Sequence, residues 1–80
     1  MEREKSLERV RWRCRRGMLE LDIVLERFVQ QHYAALDEVQ RAVFEALLDL
    51  PDTELWDRVS GAKEAAHAHQ RGVLEMLRRA

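Results

Sequence analysis

The sequence predicts an all-α fold, a compact five-helix bundle built as one domain over residues 1–80. Three observations carry that expectation. Hydrophobic residues make up 46% and charged residues 36% of the chain, enough apolar content for one core and too much for a disordered segment. Apolar residues recur every three to four positions, and no β-branched or aromatic run alternates between turn clusters. Gly17, Pro51 and Gly61 fall between the periodic segments, where helices should break. Eighty residues allow one domain, which buries only about 60% of its unfolded surface.

The first helix is expected over Ser6–Arg15. Ser6 can cap it, and Arg9, three residues on, leaves that cap plain because a capping box needs Glu or Gln there. Leu7, Val10 and Cys14 form a narrow apolar stripe. Arg9, Arg13 and Arg16 share another face, and Trp12 lies off the stripe, which predicts a partly exposed aromatic. Gly17 is expected to end this helix in a left-handed conformation, letting the next start almost without a loop.

The second helix should run over Met18–His32. Met18, Leu21, Leu25 and Phe28 line one face, and Leu19, Ile23 and Val24 are expected to widen it, giving a central helix. Glu20 and Asp22 near its start suit the positive end of the helix dipole. Ala34-Ala35-Leu36 reads as a loop. Asp37 with Gln40 completes a capping box for a third helix ending near Asp49, with Val39, Val43, Phe44, Leu47 and Leu48 inward. Pro51 breaks that helix, and Asp52 is expected to cap a short fourth one with Leu55, Trp56 and Val59 inward. Ser60-Gly61 stops it. The fifth helix should occupy Lys63–Arg79, with Ala62, Ala66, Val73, Leu74 and Leu77 apolar, and Gly72 inside it costing about 1 kcal/mol.

Charge is segregated. Residues 1–16 carry a balance of +4, residues 17–57 of −8 and residues 58–80 of +3, for a net −1. That asymmetry concerns partners and encounter rates more than fold. The lone Cys14 allows no internal disulfide and suits a reducing compartment. No apolar run approaches the roughly 20 residues of a membrane span, and Met1–Lys5 resembles neither a signal nor a transit sequence. The expected setting is a cytoplasmic monomer without membrane insertion.

Chemistry is sparse. His67 and His69, two apart on a helix, would point to different faces, unlike a zinc pair. Cys14 as a nucleophile with His32 as base is weighed against its place on the apolar stripe, where Cys behaves as a small hydrophobe. The arginines and Trp12 of the first helix offer a basic face for nucleic acid, but the sequence pI of about 6.3 and the acidic neighbouring helix oppose it. What remains is the charge reversal at Arg16-Gly17-x-x-Glu20. It is either a simple helix corner or a docking surface whose guanidinium and carboxylate seek a partner by directional hydrogen bonds.

At this point Arg11-Trp12-Arg13-Cys14-Arg15-Arg16-Gly17-Met18-Leu19-Glu20-Leu21-Asp22 closely resembles the signature of the succinate dehydrogenase FAD assembly factors, which carry R-G-x-x-E within R-R-G-M-x-E-L-D. Phe28 with His32-Tyr33, the Pro51-Asp52…Leu55-Trp56 segment and Gly61-Ala62-Lys63 extend the resemblance over residues 7–78. Glu64, where many members have Pro, and Arg58, near a usual second aromatic, depart from the pattern.

The resemblance implies a five-helix bundle that binds the flavoprotein subunit of succinate dehydrogenase, and in bacteria also that of fumarate reductase, and promotes covalent attachment of FAD to it. It implies no enzyme: the bond forms in the partner, which carries the FAD. The residues themselves, with no Gly-rich phosphate loop, lead to the expectation of no tightly bound cofactor, and the readings above to no metal and no nucleic acid. Carried over by position, Arg16, Gly17 and Glu20 are the motif residues contacting the partner. Asp22, Met18 and Arg15 flank them, and Trp12 and Arg13 are outer candidates. The alternative reading is a regulatory interaction module such as a toxin-neutralising partner.

Overall fold

The computed structural model describes residues 2–80, with side chains described from Glu8 onward. Five α-helices follow one another: α1 Glu2–Arg13, α2 Leu19–His32, α3 Glu38–Leu48, α4 Asp52–Ser60 and α5 Ala68–Arg79, with a 3₁₀ turn at Tyr33–Ala35 after α2. Among the described residues there is no strand. The Cα radius of gyration is 11.7 Å, matching the about 11.6 Å expected of a single packed domain of this length.

The core gathers one apolar face from each helix. Val10 and Cys14 from α1 and its exit meet Leu21, Leu25, Phe28 and Val29 of α2. Phe44, Leu47 and Leu48 of α3, Leu55 and Val59 of α4, and Val73, Leu74 and Leu77 of α5 complete it. The Phe28 and Phe44 rings lie 4.7 Å apart between centroids, tilted by 41°, and Tyr33 adds a third ring 6.1 Å from Phe44. Such offset aromatic pairs add about 0.5–1.5 kcal/mol beyond the area they bury. The expected central role of the second helix is shared with the last one, since α5 packs against α2, α3 and α4, while α1 packs on α2.

Local chemistry explains most helix ends. Asp37 and Gln40 form the expected capping box: the Gln40 amide donates to Asp37 Oδ1 at 2.7 Å, and the Asp37 amide to Gln40 Oε1 at 3.0 Å. Gly61, at φ +91°, closes α4 in the left-handed region.

Several expectations are corrected. Helix α1 runs from Glu2 through Ser6 rather than starting there, and the side chains of Ser6 and Leu7 lie outside the described residues. It ends at Arg13, so five residues, Cys14–Met18, separate it from α2 and Gly17 is not its cap. Asp52 is the first residue of α4 rather than its cap; Pro51 takes the cap position, and its carbonyl accepts the Leu55 amide at 2.9 Å.

The fifth helix begins at Ala68, not Lys63. Helical propensity alone favours the Ala-rich 62–66, but Ala62 and Ala66 are exposed and offer no apolar face to bury. Side chains fasten this stretch in an irregular path instead. Gln70 Oε1 accepts the Ala66 amide at 2.7 Å and Arg58 Nη1 at 2.8 Å, and His67 Nδ1 caps α5 by accepting the Gln70 amide at 3.1 Å. Arg58 also donates to the Glu64 carbonyl at 3.2 Å.

Candidate docking site

The linker between α1 and α2 is held from two sides. The Asp22 carboxylate reaches back from the first turn of α2, accepting the Arg16 amide at 2.8 Å and the Gly17 amide at 3.1 Å. It closes a tight corner in which Gly17 sits at φ +85°, a conformation costing a residue with a Cβ about 1–2 kcal/mol. Apart from Gly17 and its two chain neighbours, no described atom lies within 4 Å of where that Cβ would stand. Glycine is therefore required by backbone conformation, and the corner leaves an open approach for another molecule's backbone.

The Arg16 side chain secures the other side. Nε donates to Asp52 Oδ1 at 2.5 Å, Nη1 to the Leu48 carbonyl at 2.6 Å, and Nη2 to the Leu50 carbonyl. The carbonyls at the end of α3 have no intrahelical donor and carry the negative end of its dipole, so a guanidinium is a fitting cap. Arg13 repeats the pattern more weakly, pairing with Asp49 and donating to the Glu45 carbonyl at 3.2 Å.

The remaining candidates divide by exposure. Met18 is half-buried against the core. Trp12 is 71% exposed, with Arg15 Cζ 5.4 Å from its ring centroid, a spacing that gives cation–π attraction. Glu20 is exposed, and its side chain makes no hydrogen bond or ion pair with the described residues.

Leu19 and Ile23, expected in the core, are 74% and 41% exposed. They stand two positions before Leu21 and Leu25, and two residues rotate a helix by about 200°, which turns them to the far side. That offset is the signal in the sequence that places them outside. Among the described residues four large apolar side chains stand exposed: Trp12, Leu19 and Ile23 lie on the two helices flanking the corner, and Val39, also expected inward, lies elsewhere.

Beside the corner, α1 and α2 border an open cleft of about 390 Å³. Glu8, Arg11, Trp12 and Arg15 line it from α1 and its exit, Asp22 and Glu26 from α2, with Cys14 and Val29 also lining it. Burial pushes the Cys14 thiol up to about 11, against the opposing pull of Arg16 and Arg13. The thiol is protonated at neutral pH, which removes it as a nucleophile, and the His32 ring packs on Phe28, centroids 5.6 Å apart.

Among the described residues no group of three His, Cys, Asp or Glu side chains is placed to hold a metal ion. Among the described residues no helix is long and apolar enough to cross a membrane. With Arg13 and Arg16 committed to the α3–α4 side, the basic face of α1 is narrower than its sequence suggests. The corner's equipment is thus a fixed backbone turn, exposed apolar side chains and paired charges, suited to binding a protein surface.

Comparison with known proteins bears on that surface. Residues 8–80 match the family described as flavinator of succinate dehydrogenase. The FAD assembly factor SdhE of Coxiella burnetii is 48% identical over 54 residues, covering 68% of this chain and 66% of that protein. The same-named factor of Idiomarina loihiensis is 52% identical over 52 residues, covering 65% and 58%. That of Pseudomonas aeruginosa is 38% identical over 74 residues, covering 92% and 88%. The chain thus spans somewhat less than two thirds of the first two relatives. No solved structure gives a significant match.

Proposed function

We propose, because the chain belongs to the family of flavinators of succinate dehydrogenase, that it is an assembly factor for that enzyme. In this reading it binds the flavoprotein subunit and promotes covalent attachment of FAD to it. The flavin is carried by the partner, and its covalent attachment takes place there; this chain supplies orientation. Holding groups in a reactive arrangement can contribute several kcal/mol to a barrier, about 7–11 kcal/mol at the ideal limit.

The observation that carries the reading is the Gly17 corner, which lies within the family match and leaves an open approach between exposed Trp12, Leu19 and Glu20. A rigid corner flanked by apolar and charged side chains suits a preorganised contact, which loses little entropy on docking. The proposed partner extends to the fumarate reductase flavoprotein, and the proposed working form is a cytoplasmic monomer with no cofactor of its own. No structural feature favours a toxin-neutralising module over this reading.

The test is co-expression of the chain with a succinate dehydrogenase flavoprotein subunit in a host lacking its own factor. In-gel flavin fluorescence after denaturation should rise severalfold, and the subunit should copurify with the chain. Unchanged covalent flavin would overturn the proposal.

A further inference from the structure

We propose that Arg16 acts on the partner only through the corner it holds: it is a positioning residue, and Asp52, 36 positions away, is its counterpart. This rests on the proposed function, and it reassigns the arginine of the Arg16-Gly17-x-x-Glu20 unit from contact to support.

The two charged members of that unit face opposite ways. The Arg16 side chain is 13% exposed, and its three nitrogens donate to Asp52, Leu48 and Leu50. Swinging it out toward a partner would leave two carbonyls and a carboxylate without that donor at once. The Arg16 and Gly17 amides are meanwhile held by Asp22 from α2. The corner is therefore pinned by its side chain to the α3–α4 junction and by its backbone to α2. Glu20, by contrast, stands exposed with no bond to the described residues. Binding energy attributable to Arg16 is then transmitted through the position of Gly17, and loss of Asp52 should reproduce it.

The experiment compares the affinity of full-length wild type, Arg16→Lys, Asp52→Ala, the double variant, Asp52→Asn and Glu20→Ala for the purified flavoprotein subunit. It is run at a temperature where circular dichroism shows every variant folded. The Gly17 amide resonance of each free protein is recorded alongside. Arg16→Lys and Asp52→Ala should each weaken binding about tenfold, and the double variant should lose no more than either alone, because both break one coupled unit. Asp52→Asn, whose amide oxygen still accepts from Nε, should restore most of the affinity. The Gly17 resonance should move in Arg16→Lys and Asp52→Ala but stay fixed in Glu20→Ala, which nonetheless binds weakly.

Losses that multiply to about a hundredfold in the double variant would overturn the assignment, since independent contacts add in free energy. So would wild-type affinity and an unmoved Gly17 resonance in Asp52→Ala. Failure of the wild type itself to bind would overturn the functional reading, and the assignment with it.

Discussion

Arg16 and Asp52 meet Nε to Oδ1 at 2.5 Å across 36 residues of chain, and this pair ties the α1–α2 linker to the α3–α4 junction. The guanidinium also caps the end of α3 through the Leu48 carbonyl and holds the Leu50 carbonyl just beyond it. Arg16→Ala should therefore destabilise the fold by about 2–4 kcal/mol, the loss of several bonds to a largely buried cation. Arg15→Ala, at an exposed neighbour, should change stability by no more than about 0.5 kcal/mol. Urea denaturation of both variants checks the contrast.

Gly17 separates conformation from contact. Gly17→Ala meets no steric obstacle but must hold φ +85°, so stability should fall by about 1–2 kcal/mol. Gly17→Asn should lose less, because Asn tolerates the left-handed region better. Thermal denaturation of the two variants gives the ranking.

The irregular 62–67 stretch depends on Gln70, whose carbonyl oxygen accepts from both Ala66 and Arg58. Gln70→Ala should release it, costing about 1–3 kcal/mol as the Arg58 guanidinium loses a partner. Amide hydrogen exchange should quicken at Ala66 while Phe28 and Phe44 in the core remain protected, a difference readable residue by residue.

Alkaline pH should weaken the fold through Cys14. Its folded thiol is held up to about 11 by burial, from an ordinary value of 9.0. The stability that follows is fully present below pH 9 and is lost as pH rises from there through about 11, because the unfolded chain ionises first. Thiolate absorbance should show a high titration midpoint in the native protein, and Cys14→Ala should flatten the alkaline part of the stability curve.

The sequence made the helical architecture legible because helix periodicity, the Asp37 capping box and the breaks near Gly17, Pro51 and Gly61 agree with one another. It also placed Trp12 outside and the motif at a corner. Arg16's engagement was hidden, since two of its acceptors are backbone carbonyls, which no residue type announces, and the third, Asp52, had a ready local explanation as a helix cap. Leu19 and Ile23 were obscured by their hydrophobicity, although their two-residue offset from Leu21 and Leu25 turns them outward. The late start of α5 is set by side-chain fasteners, Arg58 and Gln70, whose bonds to the 64–66 backbone outweigh the helical propensity of an Ala-rich stretch.

Everything proposed for this protein turns on whether the Gly17 corner docks a flavoprotein and so promotes its flavinylation. The most direct measurement is the covalent flavin formed when apo succinate dehydrogenase flavoprotein subunit and FAD are incubated with wild type, Gly17→Arg or Glu20→Ala, each shown to be folded. Wild type should give a severalfold rise, and both variants a yield near the factor-free level. Equal yields from all three folded proteins would contradict it.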